Sequence, residues 1–188
     1  AHGTLSGTRL GDCKGNTNIT FGAAKTVFYR QTGSANWGAS GSGSWSATSG
    51  GALDATQFPL AQDTAVFPAA TYPASGSTTT VNANYNIGTI DMSLRTTNTM
   101  TLATGVTALS IYGNWINGTG ITIAGTGLLT FAGRTTQQIT SSAKTSFNGY
   151  FSDPERTQCS RMCGNPVESV GIVLKLMLKV LLSSSFLF

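Results

Sequence analysis

The sequence contains few charged residues. Charged side chains make up 10% of its 188 residues, whereas about a quarter is usual in soluble domains. The 11 basic residues outnumber the 7 acidic ones, but they are scattered singly and form no stripe that could follow a phosphate backbone. Nucleic-acid binding is therefore not expected, and the low charge also excludes a disordered polyelectrolyte.

Histidine and cysteine are also scarce. The only histidine is His2, so neither a Ser–His–Asp nor a Cys–His catalytic arrangement is expected. Three cysteines cannot all pair within one chain, and Cys159 and Cys163 lack a second ligand pair that would complete a zinc site. Glycine motifs for phosphate or dinucleotide binding are missing their required context. The sequence predicts no catalytic residue, no metal site, no cofactor and no enzymatic activity.

Glycan cleavage is the catalytic alternative that the acidic residues leave open. It needs two carboxylates a few ångströms apart. Asp54 and Asp63 flank the QFPLAQ turn and could approach each other. The alternative role for both residues is capping of the turn through side-chain hydrogen bonds.

The composition changes abruptly near residue 151. Before this position lie 28 of the 29 threonines and 21 of the 23 glycines. The segment 151–188 is a discordant tail, for which three interpretations stay open. It is translated out of frame, or 169–182 forms a short amphipathic helix carrying Lys175 and Lys179 on one face, or it spans a membrane. The two lysines and the short apolar run argue against the span.

Threonine and glycine dominate the first 150 residues. Short segments between 80 and 147 alternate apolar and polar residues, as in TMTLA with Met100 and Leu102. Glycine, asparagine and threonine separate these segments. The pattern predicts an all-β fold made of short strands joined by turns.

Two interleaved series of apolar residues recur about every twenty residues. The series are Ile90, Leu109 and Leu129, and Met100, Ile121 and Ile139. This spacing predicts a short β-solenoid of about 20 residues per turn, with two strands in each turn. An antiparallel β-meander or sandwich, with strands about ten residues apart, is the alternative.

The remaining segments are assigned by composition. Residues 1–24 are predicted to form a flexible N-terminal arm. Residues 25–80, which include a Gly/Ser loop, are predicted to cap the first turn, because a solenoid needs a cover over its terminal coil. Residues 81–150 are predicted to form the solenoid repeats.

Several phrases carry a resemblance to a known class of proteins. TVFYRQTGSANW, NYNIGTIDMS and SIYGNWINGTGITIAGTGLLTFAGR resemble the Thr- and Gly-rich structural proteins of marine tailed bacteriophages, of the fibre, spike or appendage kind. Similar β-helical repeats occur in bacterial surface adhesins. The resemblance covers about residues 25–148. It implies a virion structural protein that associates with itself or with other virion subunits. The alternatives are an adhesin at the bacterial cell surface and a polysaccharide-degrading enzyme.

The tryptophans are the candidate residues for contact with a host glycan. Trp37 and Trp45 lie in the Gly/Ser loop, and Trp115 lies on a predicted strand. Exposed tryptophan rings can stack on the flat faces of sugars. The alternative is that these rings fill the end or the core of the solenoid.

Overall fold

The computed structural model describes residues 10–41, 43–69 and 71–141, together with two short strands at residues 5–6 and 151–152. These residues form sixteen strands and one 3-10 helix, Ala55–Gln57. The strands are β1 (Leu5–Ser6), β2 (Ile19–Thr20), β3 (Thr26–Tyr29), β4 (Ala35–Asn36), β5 (Trp45–Ser46), β6 (Thr64–Val66), β7 (Ser77–Thr80), β8 (Tyr85–Ile87), β9 (Thr89–Met92), β10 (Met100–Ala103), β11 (Leu109–Ile111), β12 (Trp115–Asn117), β13 (Ile121–Ala124), β14 (Leu129–Phe131), β15 (Ile139–Ser141) and β16 (Phe151–Ser152). The helix predicted at 169–182 and the other interpretations of the tail beyond residue 152 lie outside the described residues.

Most strands belong to three sheets that run along one axis. Sheet I has the order β5-β3-β6-β9-β12-β15, sheet II the order β4-β7-β10-β13, and sheet III the order β8-β11-β14-β16. Each complete coil passes through sheet II, then sheet III, then sheet I, as in β10, β11 and β12. Every pair in these sheets is parallel except β3 with β5. The predicted all-β solenoid is therefore confirmed, with about three turns, and the parallel pairing excludes an antiparallel meander or sandwich.

The coils have three sides, and this changes how the predicted apolar series stack. Leu109 pairs with Leu129 in sheet III, and Met100 pairs with Ile121 in sheet II, as the spacing predicts. Ile90 and Ile139 do not join these columns, because both pair with Trp115 in sheet I. The prediction of two strands per turn is wrong. A third strand per coil lengthens the repeat and separates residues that the twenty-residue spacing had placed together.

The length of a coil depends on its corners. The corner between sheets I and II takes up residues 67–76 in one coil, 93–99 in the next and 118–120 in the third. Among the strands from β6 onward, residues that pair across neighbouring coils are consequently between 20 and 25 positions apart, as for Leu109 with Leu129 and Ile90 with Trp115. The pairs of β3 with β6 and of β4 with β7 are 38 and 44 positions apart, because the loop that contains β5 and the 3-10 helix lies between them. The strands stay in register because the extra residues lie outside them.

Side chains alternate between the interior and the surface along each strand. In β9 and β10 every second residue is buried, which is the period expected of a strand with one packed face. The buried positions are mostly aliphatic, and each fully buried aliphatic side chain contributes about 1.5–3 kcal/mol. The interior includes Val27, Val81, Ile87, Ile90, Met92, Met100, Leu102, Leu109, Ile111, Ile123 and Leu129.

The segment 25–80, predicted as a cap, also supplies strands to the coils. It contributes β3 and β6 to sheet I and β4 and β7 to sheet II. Strand β5 lies antiparallel at the outer edge of sheet I. Where sheet III has no described strand before β8, the side-chain amide of Asn82 bonds both the N–H and the carbonyl of Gly38, at 3.1 and 3.2 Å. The boundary predicted at residue 80 falls inside one coil. The sequence did not reveal this, because the polar STTT of β7 does not look like a core strand.

The stacking of sheet III extends to the position where the composition changes. Phe151 pairs with Leu129 and Ser152 pairs with Thr130 in a parallel register. The separation of 22 residues equals an ordinary coil length in this fold. The backbone therefore keeps the solenoid register through residues 151 and 152, the first two residues of the predicted tail.

Candidate functional surfaces

Two of the predicted glycan-contact residues form part of an aromatic plug at the N-terminal end of the solenoid. Trp37 and Trp45 are 0% and 1% exposed, and their ring centroids lie 4.9 Å apart. Tyr29 and Phe67 complete the plug with a stacked contact, also at 4.9 Å. The indole N–H of Trp45 donates to the backbone carbonyl oxygen of Trp37 at 2.9 Å, which fixes the orientation of the Trp45 ring.

The third predicted contact residue, Trp115, is 0% exposed. It lies in sheet I between Ile90 and Ile139. The prediction that Trp37, Trp45 and Trp115 present their rings to a glycan is therefore wrong, because stacking on a sugar requires an accessible face. The rings instead fill the core and close the end of a solenoid whose first coil has no neighbour to cover it.

The two aspartates considered for glycan cleavage both hold neighbouring backbone groups. Asp54 caps the 3-10 helix, where its Oδ1 accepts from the hydroxyl and the N–H of Thr56 at 2.7 and 2.8 Å. The side-chain hydrogen bond from Thr56 is the main reason why the pKa of Asp54 is lowered, whereas a general acid needs a raised pKa. Asp63 is 1% exposed and accepts from the N–H groups of Lys25 and Leu60, at 3.0 and 2.9 Å.

A buried arginine lies at the corner between sheets I and II. Arg95 is 0% exposed, and its guanidinium donates to the carbonyl oxygens of Pro68 at 3.0 Å, Ala69 at 3.3 Å and Thr99 at 3.2 Å. Burial lowers the pKa of Arg95. Carbonyl dipoles thus take the place of a carboxylate partner, and the side chain fastens the corner of one coil to the corner of the coil before it.

The outer faces of sheets II and III carry polar side chains without charge. On sheet II, Thr78, Thr101 and Thr122 pair in register across three coils and are partly or fully exposed. Neighbouring strands lie about 4.8 Å apart, so their hydroxyl groups form an evenly spaced ladder. Asn86 and Ser110 occupy the corresponding outward positions on sheet III. None of the described strands in these two sheets contains a charged residue.

The described part of the chain lacks two other kinds of site. It contains no group of three or more His, Cys, Asp or Glu side chains able to hold a metal ion. It also contains no helix that is long and apolar enough to cross a membrane.

Sequence reasoning missed both Arg95 and the hydroxyl ladder. A single arginine in LRTTNT looks like an ordinary surface charge, because its carbonyl partners Pro68 and Ala69 are 26 or more residues earlier. The sequence did contain a pattern that indicates the ladder. Thr101 and Thr122 occupy the polar positions of TMTLA and ITIAG, and the same apolar spacing that predicted the stacking also puts these threonines in register.

Comparison with known proteins gives the chain no significant match to a protein-family model, a curated sequence or a solved structure.

Proposed function

We propose that this chain is a non-enzymatic structural protein, a rigid rod segment in a fibre or similar appendage of a bacteriophage virion. The observation that carries the proposal is the parallel stacking of three sheets along one axis, from β3 onward. In such a stack the backbone hydrogen bonds run from coil to coil, parallel to the axis, and each coil braces the next. The assignment to a virion rests on the resemblance of residues 25–148 to phage structural proteins.

The interior of the coils favours a mechanical role over a catalytic one. Its largest side chains, among them Trp37, Trp45 and Trp115, are fully buried, so the lumen is filled rather than open to a substrate. Asp54 and Asp63 are both engaged in hydrogen bonds to backbone N–H groups. These features support the rod over the polysaccharide-degrading enzyme.

The partners in this proposal are further copies of the chain or other virion subunits, which pack on the neutral faces of sheets II and III. Burying a charge in an interface carries a large desolvation penalty unless the charge is paired. The hydroxyl ladder of Thr78, Thr101 and Thr122 carries no such penalty, and its hydroxyl groups can both donate and accept hydrogen bonds. Because the tryptophans are buried, we assign contact with a host glycan to these faces as well.

Particle association tests the virion assignment. An antibody against the purified chain should label virions from the source sample in electron micrographs, and the chain should sediment with them through a density gradient. Recovery with the bacterial envelope would instead support the adhesin. Clearing of a polysaccharide by the purified chain, lost in Asp54→Asn or Asp63→Asn, would support the enzyme.

A pair of substitutions tests the packing face. Thr101→Lys places a charge in the middle of the ladder, whereas Thr97→Lys places the same charge at an exposed corner. We expect Thr101→Lys to abolish incorporation into particles and Thr97→Lys to retain it, while both variants keep the circular dichroism of the parent. Equal incorporation of the two variants would remove sheet II from the interface.

A further inference from the structure

The described N-terminal residues 10–25, named here the arm, do not follow the winding of the coils. The Cα of Gly11 lies beside Ala61, at the corner before β6. Cys13 lies near the phenol of Tyr112, whose pKa it raises, at the corner before β12, and Gly15 lies against the guanidinium of Arg134, at the corner before β15. The arm therefore runs along the solenoid axis and crosses the coils at the edge between sheets III and I.

The crossing takes only a short length of chain. Corners before β6 and β15 are separated by three strand spacings in sheet I, or about 14 Å. The five residues from Gly11 to Gly15 reach from the first of these corners to the side chain of Arg134 at the last. The arm then turns back through Lys14, Gly15 and Asn18, all of which have a positive φ.

Two adjacent side chains, those of Gln62 and Asp63, hold the arm at its base. We call this pair of residues the clasp. The side-chain carbonyl of Gln62 accepts from the N–H of Asp12 at 2.9 Å, and its amide N–H group donates to the carbonyl of Leu10 at 3.2 Å. The carboxylate of Asp63 accepts from the N–H of Lys25 at 3.0 Å. Both clasp residues belong to the coil body, immediately before β6.

Little apolar packing supplements the clasp. No described residue between 10 and 25 is fully buried, in contrast to the strands beneath. A cavity of about 140 Å³ separates the arm from the body. It is lined by Leu10, Gly22, Ala23, Lys25, Thr56, Leu60, Gln62 and Asp63. Segments with few buried contacts and hydrogen bonds near solvent open at a lower free energy than the core they cover.

We propose that the arm is a strap that opens as a unit while the coils stay wound, and that Gln62 and Asp63 are its clasp. Opening frees the phenol of Tyr112 and the guanidinium of Arg134 at the axial edge between sheets III and I. The rod then has a closed state, in which the edge is covered, and an open state, in which it is available for contact. This opening goes beyond the proposed structural function, because it does not depend on which particle or cell surface carries the rod.

Hydrogen exchange of the full-length chain tests the strap. We expect the amides of Asp12 and Lys25, which bond the clasp, to exchange through a local opening, much faster than those of Ile90 and Leu109 in the core. Gln62→Ala should accelerate the arm amides roughly tenfold, since it removes hydrogen bonds to Asp12 and Leu10, and should leave the core amides unchanged. Asp63→Asn acts on the other half of the clasp and should accelerate the Lys25 amide in the same way.

Gln137 supplies a matched control. Its side chain also spans a corner, accepting from the N–H of Gly133 at 2.8 Å and donating to the carbonyl of Ile111 at 2.8 Å, but it bonds no residue of the arm. Gln137→Ala should accelerate exchange at Gly133 and leave Asp12 and Lys25 unchanged. The strap is overturned if the arm amides of the parent exchange as slowly as the core. It is equally overturned if Gln62→Ala leaves the arm unchanged or accelerates arm and core alike.

Discussion

The guanidinium of Arg95 donates to the carbonyl oxygen of Pro68 at 3.0 Å, across 27 residues of sequence and one step of the solenoid. The same group bonds the carbonyl of Thr99 in its own coil at 3.2 Å. One side chain thus joins two consecutive corners between sheets I and II. A lysine could not serve both, because an ammonium group lacks the fixed, forked geometry of the guanidinium.

Replacing this arginine should destabilise the fold. Arg95→Met fills a similar volume but leaves the carbonyls of Pro68 and Thr99 without their donors, and we expect a loss of about 2–3 kcal/mol in the free energy of unfolding. Urea denaturation followed by circular dichroism measures the loss. Arg134→Met, at an exposed arginine, should change the same quantity by less than about 0.5 kcal/mol. Equal effects of the two substitutions would contradict a corner-joining role for Arg95.

A glycine of the third coil should also prove sensitive. A Cβ added at Gly118 would clash with the carbonyl oxygen of Arg95, which accepts the N–H of Gly120 at 2.9 Å. Gly118→Ala should therefore cost about 1–3 kcal/mol, the usual penalty for overpacking. Thermal unfolding compares it with Gly33→Ala, where nothing lies within 4 Å of the added carbon. A normal melting temperature for Gly118→Ala would mean that this corner can move apart.

Removal of the buried indole of Trp115 should act on stability rather than on binding. Trp115→Ala should lower the free energy of unfolding by about 3–5 kcal/mol, since the ring is fully buried in the core. Leu94→Ala, at a side chain that is 53% exposed, is the control and should be nearly neutral. Urea titration gives both values. A folded, equally stable Trp115→Ala variant with altered glycan binding would restore the role that burial argues against.

The contact between Cys13 and Tyr112 predicts a loss of stability at high pH. The hydrogen bond with Cys13, and then burial, raise the pKa of Tyr112 to about 12. Because an unfolded tyrosine titrates near 10, the folded chain holds this proton more tightly. The resulting stabilisation is complete below pH 10 and disappears as the pH rises towards 12. Burial raises the pKa of Tyr29 in the same direction.

Unfolding measured at pH 9 and pH 11 separates the contribution of Tyr112. We expect the parent to lose more stability between these values than Tyr112→Phe, which has no phenol to ionise. The buried Tyr29 remains in both proteins, so its effect cancels in the comparison. Identical losses would show that Tyr112 titrates normally in the folded chain.

The strands and their stacking could be predicted from the sequence because both depend on local spacing. Met100 with Ile121 and Leu109 with Leu129 pair as the apolar series indicated. The number of sides could not be predicted in the same way. Corners of one to ten residues blur the repeat, so that Ile90 looked like a neighbour of Leu109 rather than of Trp115.

The candidate site was harder to predict than the fold. The Gly/Ser-rich context of Trp37 and Trp45 suited an exposed loop, but the same glycines let the chain fold back over the open end of the lumen. Gly41, Gly43 and Gly50 all have a positive φ, which allows these tight returns. Whether the two indole rings face the lumen depends on their contacts with Tyr29 and with Phe67, which follows Trp45 by 22 residues.

The variable corners have a further consequence for the length of the rod. The four turns between sheets I and II have five, ten, seven and three residues in chain order, yet each strand still pairs with its counterpart one spacing, about 4.8 Å, away. The length of the rod along its axis therefore depends on the number of coils and not on the number of residues. Residues added at a corner therefore leave the spacing between neighbouring coils, and with it the length of the rod, unchanged.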